Sequence, residues 1–175
     1  MAADHADADT TPEIAAPTIP RPSQLWKPLT AEQKLQAAQA FWEDENAAAE
    51  QAEAIAVIAQ RIKFRVKSVV TMATEKKARQ LAALPAVSEM VAARLLVSYH
   101  LAHQRPMMGG FLDALGIKHE DGMIADEEMK PPSAEALKAA AKTLAESHPQ
   151  EEVTLYLSTL MWQDPETWGA LSESL

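Results

Sequence analysis

The sequence predicts an all-α protein: a helical bundle of about 8 helices with two related helix-turn-helix units and a disordered N-terminal tail. Three observations lead to this prediction. Alanine accounts for 34 of the 175 residues, prolines and capping residues divide the chain into helix-sized segments, and one segment pattern occurs twice. Alanine, leucine, glutamate, lysine and glutamine lose little side-chain freedom in a helix, so a chain rich in them favours helices over strands.

Residues 1–29 are the predicted tail, which is acidic, rich in proline and poor in large aliphatic side chains. Such a segment buries too little apolar surface to offset the entropy lost on ordering. Leu25 and Trp26 are exceptions, and we expect them to dock on the domain as a short anchor. Residues 30–175 are then predicted to form a single all-helical domain.

The first part of this domain, residues 30–64, is predicted to be a pair of helices. Thr30 is suited to cap the first of them, and Gln33 stands three residues later to complete a capping box. The second helix is expected from about Ala47 to Phe64.

The next piece, RIKFRVKSVV at 61–70, alternates basic and apolar residues, which is the period of a strand. Its apolar residues Ile62, Val66, Val69 and Val70 also fit one face of a helix. Since no second strand is predicted to pair with it, we expect a helix or an irregular linker.

Two helical units follow, at 74–115 and 133–173. Each is predicted to contain a helix, a proline break, an apolar helix, the sequence Gln-x-Pro and a short helix. Between Leu101–Leu112 and Leu160–Leu171, five of twelve positions are identical at an offset of 59 residues. Self-similarity of this kind is the signature of repeated supersecondary structure. The connection between the units, residues 116–132, has turn residues and no clear period.

The repeated positions suggest structural roles. Pro106 and Pro165 suit the first turn of a new helix, while Gly110 and Gly169 are expected to permit close contact between helices. Upstream, Leu96 and Leu155 are predicted to be equivalent buried positions. The helix containing Leu96 is apolar on all sides, which is typical of a central, buried helix.

Composition excludes several classes of protein. The chain has no cysteine, which excludes disulfides, thiolate metal sites and cysteine nucleophiles. No window of 18 or more apolar residues is present, so no membrane span is predicted. Residues 1–20 carry four acids and neither lysine nor arginine, unlike a signal or transit peptide. We therefore expect a cytoplasmic protein of bacterial type.

No catalytic motif stands out from the sequence. The nucleotide-binding patterns GxGxxG and GxxxxGK[ST] and the hydrolase pattern GxSxG are all missing. We therefore predict neither enzymatic activity nor a cofactor. One alternative is a metal or small-ligand protein that uses His100, His103 and His119, although the equivalent of His103 in the second unit is Trp162, which favours a packing role.

Charge is unevenly distributed along the chain. The net charge is −9, yet residues 61–79 hold seven cations and one acid, a local charge of +6 that leaves −15 for the remainder. We predict that these cations form a partner-binding basic face. They are Arg61, Lys63, Arg65, Lys67, Lys76, Lys77 and Arg79.

The predicted function is that of a non-enzymatic protein–protein interaction module, an adaptor or scaffold with helical grooves and this basic face. Its expected partner is an acidic protein. The alternative is a nucleic-acid-binding protein that uses the same segment, because cations interleaved with Phe64 suit phosphates. The acidic remainder of the chain would repel nucleic acid at long range, which favours the protein partner.

Overall fold

The computed structural model describes residues 18–125 and 128–175 of the protein. The predicted all-α class is confirmed. Ten α-helices and one small antiparallel sheet lie in the described part of the chain, and they are α1 (Pro22–Trp26), α2 (Ala31–Glu43), α3 (Ala48–Ile62), α4 (Val66–Val70), α5 (Thr74–Ala82), α6 (Glu89–His103), α7 (Arg105–Ala114), β1 (His119–Glu120), β2 (Met123–Ile124), α8 (Ala134–Ser147), α9 (Gln150–Gln163) and α10 (Pro165–Trp168). Short 3₁₀ helices occur at Glu45–Ala47 and Gly169–Ser174.

The predicted capping box at the start of α2 is present. The backbone amide of Gln33 donates to the Thr30 hydroxyl over 3.1 Å, and the backbone amide of Thr30 donates to Gln33 Oε1 over 3.0 Å. Ser88 and Ser133 cap α6 and α8 in the same way, each accepting from the amide three residues on. These side chains satisfy backbone donors that the first helical turn leaves free, which is why the helices begin where they do.

Helix α1 lies inside the segment predicted to be a disordered tail. Residues 1–17 are outside the described residues, but the packed domain begins before residue 30. Trp26 is only 3% exposed, as expected for the anchor. The Ser23 amide and hydroxyl both donate to the Glu89 carboxylate, at 3.0 and 2.6 Å. One aromatic side chain and two charge-assisted hydrogen bonds therefore order a short segment that composition alone marks as unpacked.

The segment after α3 is helical or irregular, as predicted, and forms no strand. Helix α3 ends at Ile62 because Lys63 adopts the left-handed conformation, with φ of 57°. The Phe64 amide then donates back to the Ala59 carbonyl over 3.0 Å, which closes the helix end. Arg65 is extended and leads into α4.

The connection at 116–132 contains a hairpin that the sequence analysis missed. His119 pairs with Ile124 and Glu120 with Met123, across a two-residue turn. Asp121 and Gly122 both have positive φ, 51° and 84°. A turn of type I′ requires this conformation at both central residues, and Asp-Gly is a preferred dipeptide for it. The Asp-Gly dipeptide is therefore the sequence signal for this hairpin.

Two clusters of buried side chains form the core. The first combines residues of α1 to α6 with Leu155 of α9. The second combines residues of α7 to α10 and of the final 3₁₀ helix. Helix α6 has its predicted central position, since it contacts α1, α2, α3, α7 and α9. Helices α6 and α9 meet where the two clusters adjoin.

Equivalent positions of the two units meet across this junction. Leu96 and Leu155 are both buried, at 1% and 6% exposed. His100 Nε2 lies 3.2 Å from Thr159 Oγ1, and these residues are 59 apart, which is the offset of the repeat. The units differ after the proline, however: α7 is a regular helix, whereas α10 passes into a 3₁₀ helix after Trp168.

The role predicted for the repeated glycines is wrong. A Cβ atom added to Gly110 or Gly169 would meet nothing within 4 Å, so neither permits a close contact. Gly109 is the glycine of α7 that permits a close contact, because a Cβ added to it would lie 3.1 Å from His119 Cε1. The β1–β2 hairpin packs on the face of α7 that carries Gly109, and the sequence analysis did not predict this hairpin.

Candidate partner-binding surface

The seven cations of the predicted basic face lie on four consecutive elements of the chain. Arg61 lies in the last turn of α3, Lys63 and Arg65 lie in the following link, Lys67 is on α4, and the other three are on α5. All are exposed except Lys77, which is half-buried. They are therefore close in the chain and reach solvent, but they do not have equal surroundings.

Three of the cations have contacts within the protein. Arg61 donates to the Ala83 carbonyl and so ties the end of α3 to the end of α5. The Lys77 ammonium lies 4.8 Å from the centroid of the Trp42 ring, a cation–π contact. Arg79 pairs with Glu75 at 3.9 Å, but both side chains are largely exposed, so this pair contributes little stability.

The remaining four cations, Lys63, Arg65, Lys67 and Lys76, have neither an ion pair nor a side-chain hydrogen bond with any described residue. Their charge is thus available to a partner. Lys63 also holds the left-handed conformation that favours glycine, where a side chain costs roughly 1 kcal/mol. The chain places a charged side chain where the backbone would be more stable without one.

Large apolar side chains are exposed between these cations. Phe64 is 56% exposed, Val66 54% and Val70 51%. The single helical face predicted for this segment is therefore wrong in part, because α4 buries only Val69. A five-residue helix presents one narrow face to the core, which Val69 fills, and no neighbouring element covers the others.

We call this exposed set the α4 surface: Lys63, Phe64, Arg65, Val66, Lys67 and Val70. It combines three cations that no described residue pairs with and three exposed apolar side chains, all within eight consecutive residues. Exposed apolar side chains that occur singly are ordinary, but a contiguous group with a charged rim is typical of an interaction site. The sequence signal for it is the alternation in KFRVK.

The three histidines of the metal hypothesis are engaged separately. His100 is 3% exposed and faces Thr159. His103 is exposed and lies against the Tyr99 ring, with centroids 5.4 Å apart. His119 donates through Nε2 to Asp113 over 3.1 Å and accepts the Gly122 amide at Nδ1. Within residues 18–125 and 128–175, no three ligating side chains converge.

In the part of the chain that the structure describes, no helix has the length and apolar character needed to cross a membrane. Comparisons with known proteins give no assignment: no protein-family model, no curated protein and no solved structure matches the chain.

Proposed function

We propose that the chain is a non-enzymatic adaptor that binds an acidic, partly apolar segment of another protein through the α4 surface. The observation that supports this most directly is the exposure of Phe64, Val66 and Val70 beside three cations that have no partner in the described part of the chain. Burying these side chains against a partner would release apolar surface from water, and the cations would select acidic sequences and speed encounter.

A protein partner fits this surface better than nucleic acid. Bases stack on aromatic rings and on arginine guanidinium planes, and the α4 surface has only Phe64 and Arg65 of these kinds, whereas Val66 and Val70 are aliphatic. The net charge of −15 outside 61–79 also opposes an extended polyanion, while a short acidic segment contacts only the local positive charge. A cytoplasmic location belongs to the same proposal, and the absence of cysteine is compatible with a reducing compartment.

Photo-crosslinking tests the proposal directly. A benzophenone amino acid would replace Phe64 in the full chain, and the control would place it at Met90, another apolar side chain that is more than half exposed. We expect Phe64 to crosslink to an acidic segment of one protein in extract of the source cells, and Met90 not to do so. Crosslinking to RNA or DNA instead would support the alternative function.

Charge reversal then separates binding from folding. Lys63→Glu with Lys67→Glu should abolish the crosslink, and higher salt should weaken it in the parent protein. The matched control is Lys138→Glu with Lys142→Glu, two exposed lysines at the same spacing on α8. Circular dichroism would check that both variants fold. Undiminished crosslinking by the folded Lys63/Lys67 variant would remove the α4 surface from the interface.

A further inference from the structure

A pocket of about 270 Å³ lies at the junction of the two units, away from the α4 surface. Helices α6 and α9 form two of its walls, α7 forms a third, and the β1–β2 hairpin borders its mouth. Its lining is mainly apolar and includes Val97, Leu101, Met108, Leu112, Met123 and Leu160. A lining of this kind, with a few polar groups, is typical of small-molecule sites.

No ionised side chain lines the pocket. Its polar side chains are those of His100, Tyr156, Thr159 and Gln163, and the backbone of Gly122 in the hairpin turn also lines it. Burial lowers the pKa of His100 to about 4, so the imidazole is neutral near pH 7. An ion entering this space would lose its hydration without finding an opposite charge, so the pocket selects neutral molecules.

The hydrogen bonds of His100 leave one atom unused. The Thr159 hydroxyl donates to the Leu155 carbonyl over 2.8 Å, so its oxygen accepts from His100 Nε2–H. Nδ1 of the same ring is then an acceptor, and it has no partner and no contact with solvent among the described residues. Buried acceptors are nearly always satisfied. A bound molecule would reach Nδ1 once the neighbouring side chains move apart, and its N–H or O–H group would then supply the missing donor.

The hairpin at the mouth is held by polar contacts. Arg105 Nη1 donates to the Asp121 carbonyl over 3.1 Å and forms an ion pair with the Asp121 carboxylate, also at 3.1 Å. Gly122 approaches α7 so closely that a Cβ there would lie 2.8 Å from Met108 Cβ. This arrangement keeps Met123 and Ile124 beside the pocket although they are 46% and 40% exposed. A ligand in the pocket would cover apolar surface that is otherwise in water.

The geometry points to this pocket as a binding site for a small neutral molecule with an apolar body and one N–H or O–H donor. The pocket volume indicates the size of this molecule. An apolar cavity of about 150 Å³ accommodates benzene, so the pocket of about 270 Å³ suits a molecule of about two fused rings. Indole has this size, neutrality and single donor, and it is the probe we choose. The site is independent of the α4 surface, and either can fail without the other.

Methionine methyl resonances provide the assay. Full-length protein with ¹³C-methyl methionine would be titrated with indole, and with indene, which has the same shape and lacks the N–H group. We expect saturable shifts of Met108 and Met123, unchanged signals from Met72 and Met90, and a preference for indole of about tenfold, the value of one net hydrogen bond. Absence of saturable shifts at the solubility limit of indole would overturn the proposal.

Two variants locate the site. Val97→Phe should fill the pocket and weaken indole binding at least tenfold, whereas Val57→Phe on α3 is the matched control and should bind as the parent does. His100→Phe should bind indene and indole equally if Nδ1 accepts the donor. Unaltered indole binding by folded Val97→Phe would place the probe elsewhere. Shifts of Met108 and Met123 caused only by a protein partner, and by neither small molecule, would show that the pocket receives a side chain and would also overturn the proposal.

Discussion

Protonation of His100 should make the stability of the protein depend on pH in a defined direction. The ring is buried, packs edge-on against Tyr156 and has no acidic partner among the described residues, and burial lowers its pKa to about 4. In the unfolded chain its pKa is near 6.5. Between these two values the unfolded state binds the extra proton, so stability falls as the pH falls from about 6.5 towards 4. Above pH 7 the ring is neutral in both states, and its effect is constant.

The magnitude follows from the two pKa values. Each unit of difference corresponds to about 1.36 kcal/mol, so at pH 5, which is about 1.5 units below the unfolded pKa, the loss is roughly 2 kcal/mol. Near pH 4 and below it would approach roughly 3 kcal/mol. Carboxylates contribute in the same acid range, because the hydrogen bonds from Ser23 lower the pKa of Glu89. A comparison of variants is therefore needed to isolate the histidine.

Urea unfolding at pH 7.5 and pH 5.0, followed by circular dichroism, measures the effect. The parent protein should lose about 2 kcal/mol more than His100→Gln over this interval, since glutamine does not titrate but retains an amide near the Thr159 hydroxyl. His103→Gln, at an exposed position on the same helix, is the control and should show the parental pH dependence. Equal losses in the parent and in His100→Gln would refute the assignment of a neutral, buried imidazole.

Three further predictions concern single positions, each checked by urea or thermal unfolding. Gly110→Ala should stabilise the protein by about 0.5–1 kcal/mol, because the site is helical and a Cβ there meets nothing. Gly109→Ala should give no such gain, since its Cβ would press on His119. The opposite order of stabilities would mean that the hairpin does not pack on α7 as described. Leu96→Ala and Leu155→Ala should each cost about 2–5 kcal/mol as equivalent buried positions, and a negligible cost at either would break the repeat alignment. Lys63→Gly should stabilise by up to about 1 kcal/mol by relieving the left-handed backbone, and a clear destabilisation would show that the lysine side chain is itself structural.

The features that the sequence predicted well are those decided locally. Thr30 caps α2 because its side chain reaches an amide only three residues away, and Pro106 and Pro165 lie in the first turns of α7 and α10 for an equally local reason. Such signals involve one turn of backbone and need no knowledge of the neighbours.

The features that were missed depend on contacts between distant residues. Whether Val66 is buried depends on whether another element covers α4, and no periodicity within the segment contains that information. The choice between Gly109 and Gly110 as the contact glycine depends on where the hairpin packs. The pocket is built from residues that are up to several dozen positions apart, so its volume and the unpaired Nδ1 of His100 are products of tertiary packing.

The division of the core has a consequence for cooperativity. Leu155 belongs to the first cluster, while the next two residues of α9, Tyr156 and Leu157, belong to the second. If either cluster opens, consecutive side chains of this one helix lose part of their packing, and the helix that the other cluster needs is weakened. The two clusters therefore share consecutive residues of α9, and we expect a loss of order in one half of the protein to weaken the other through this helix.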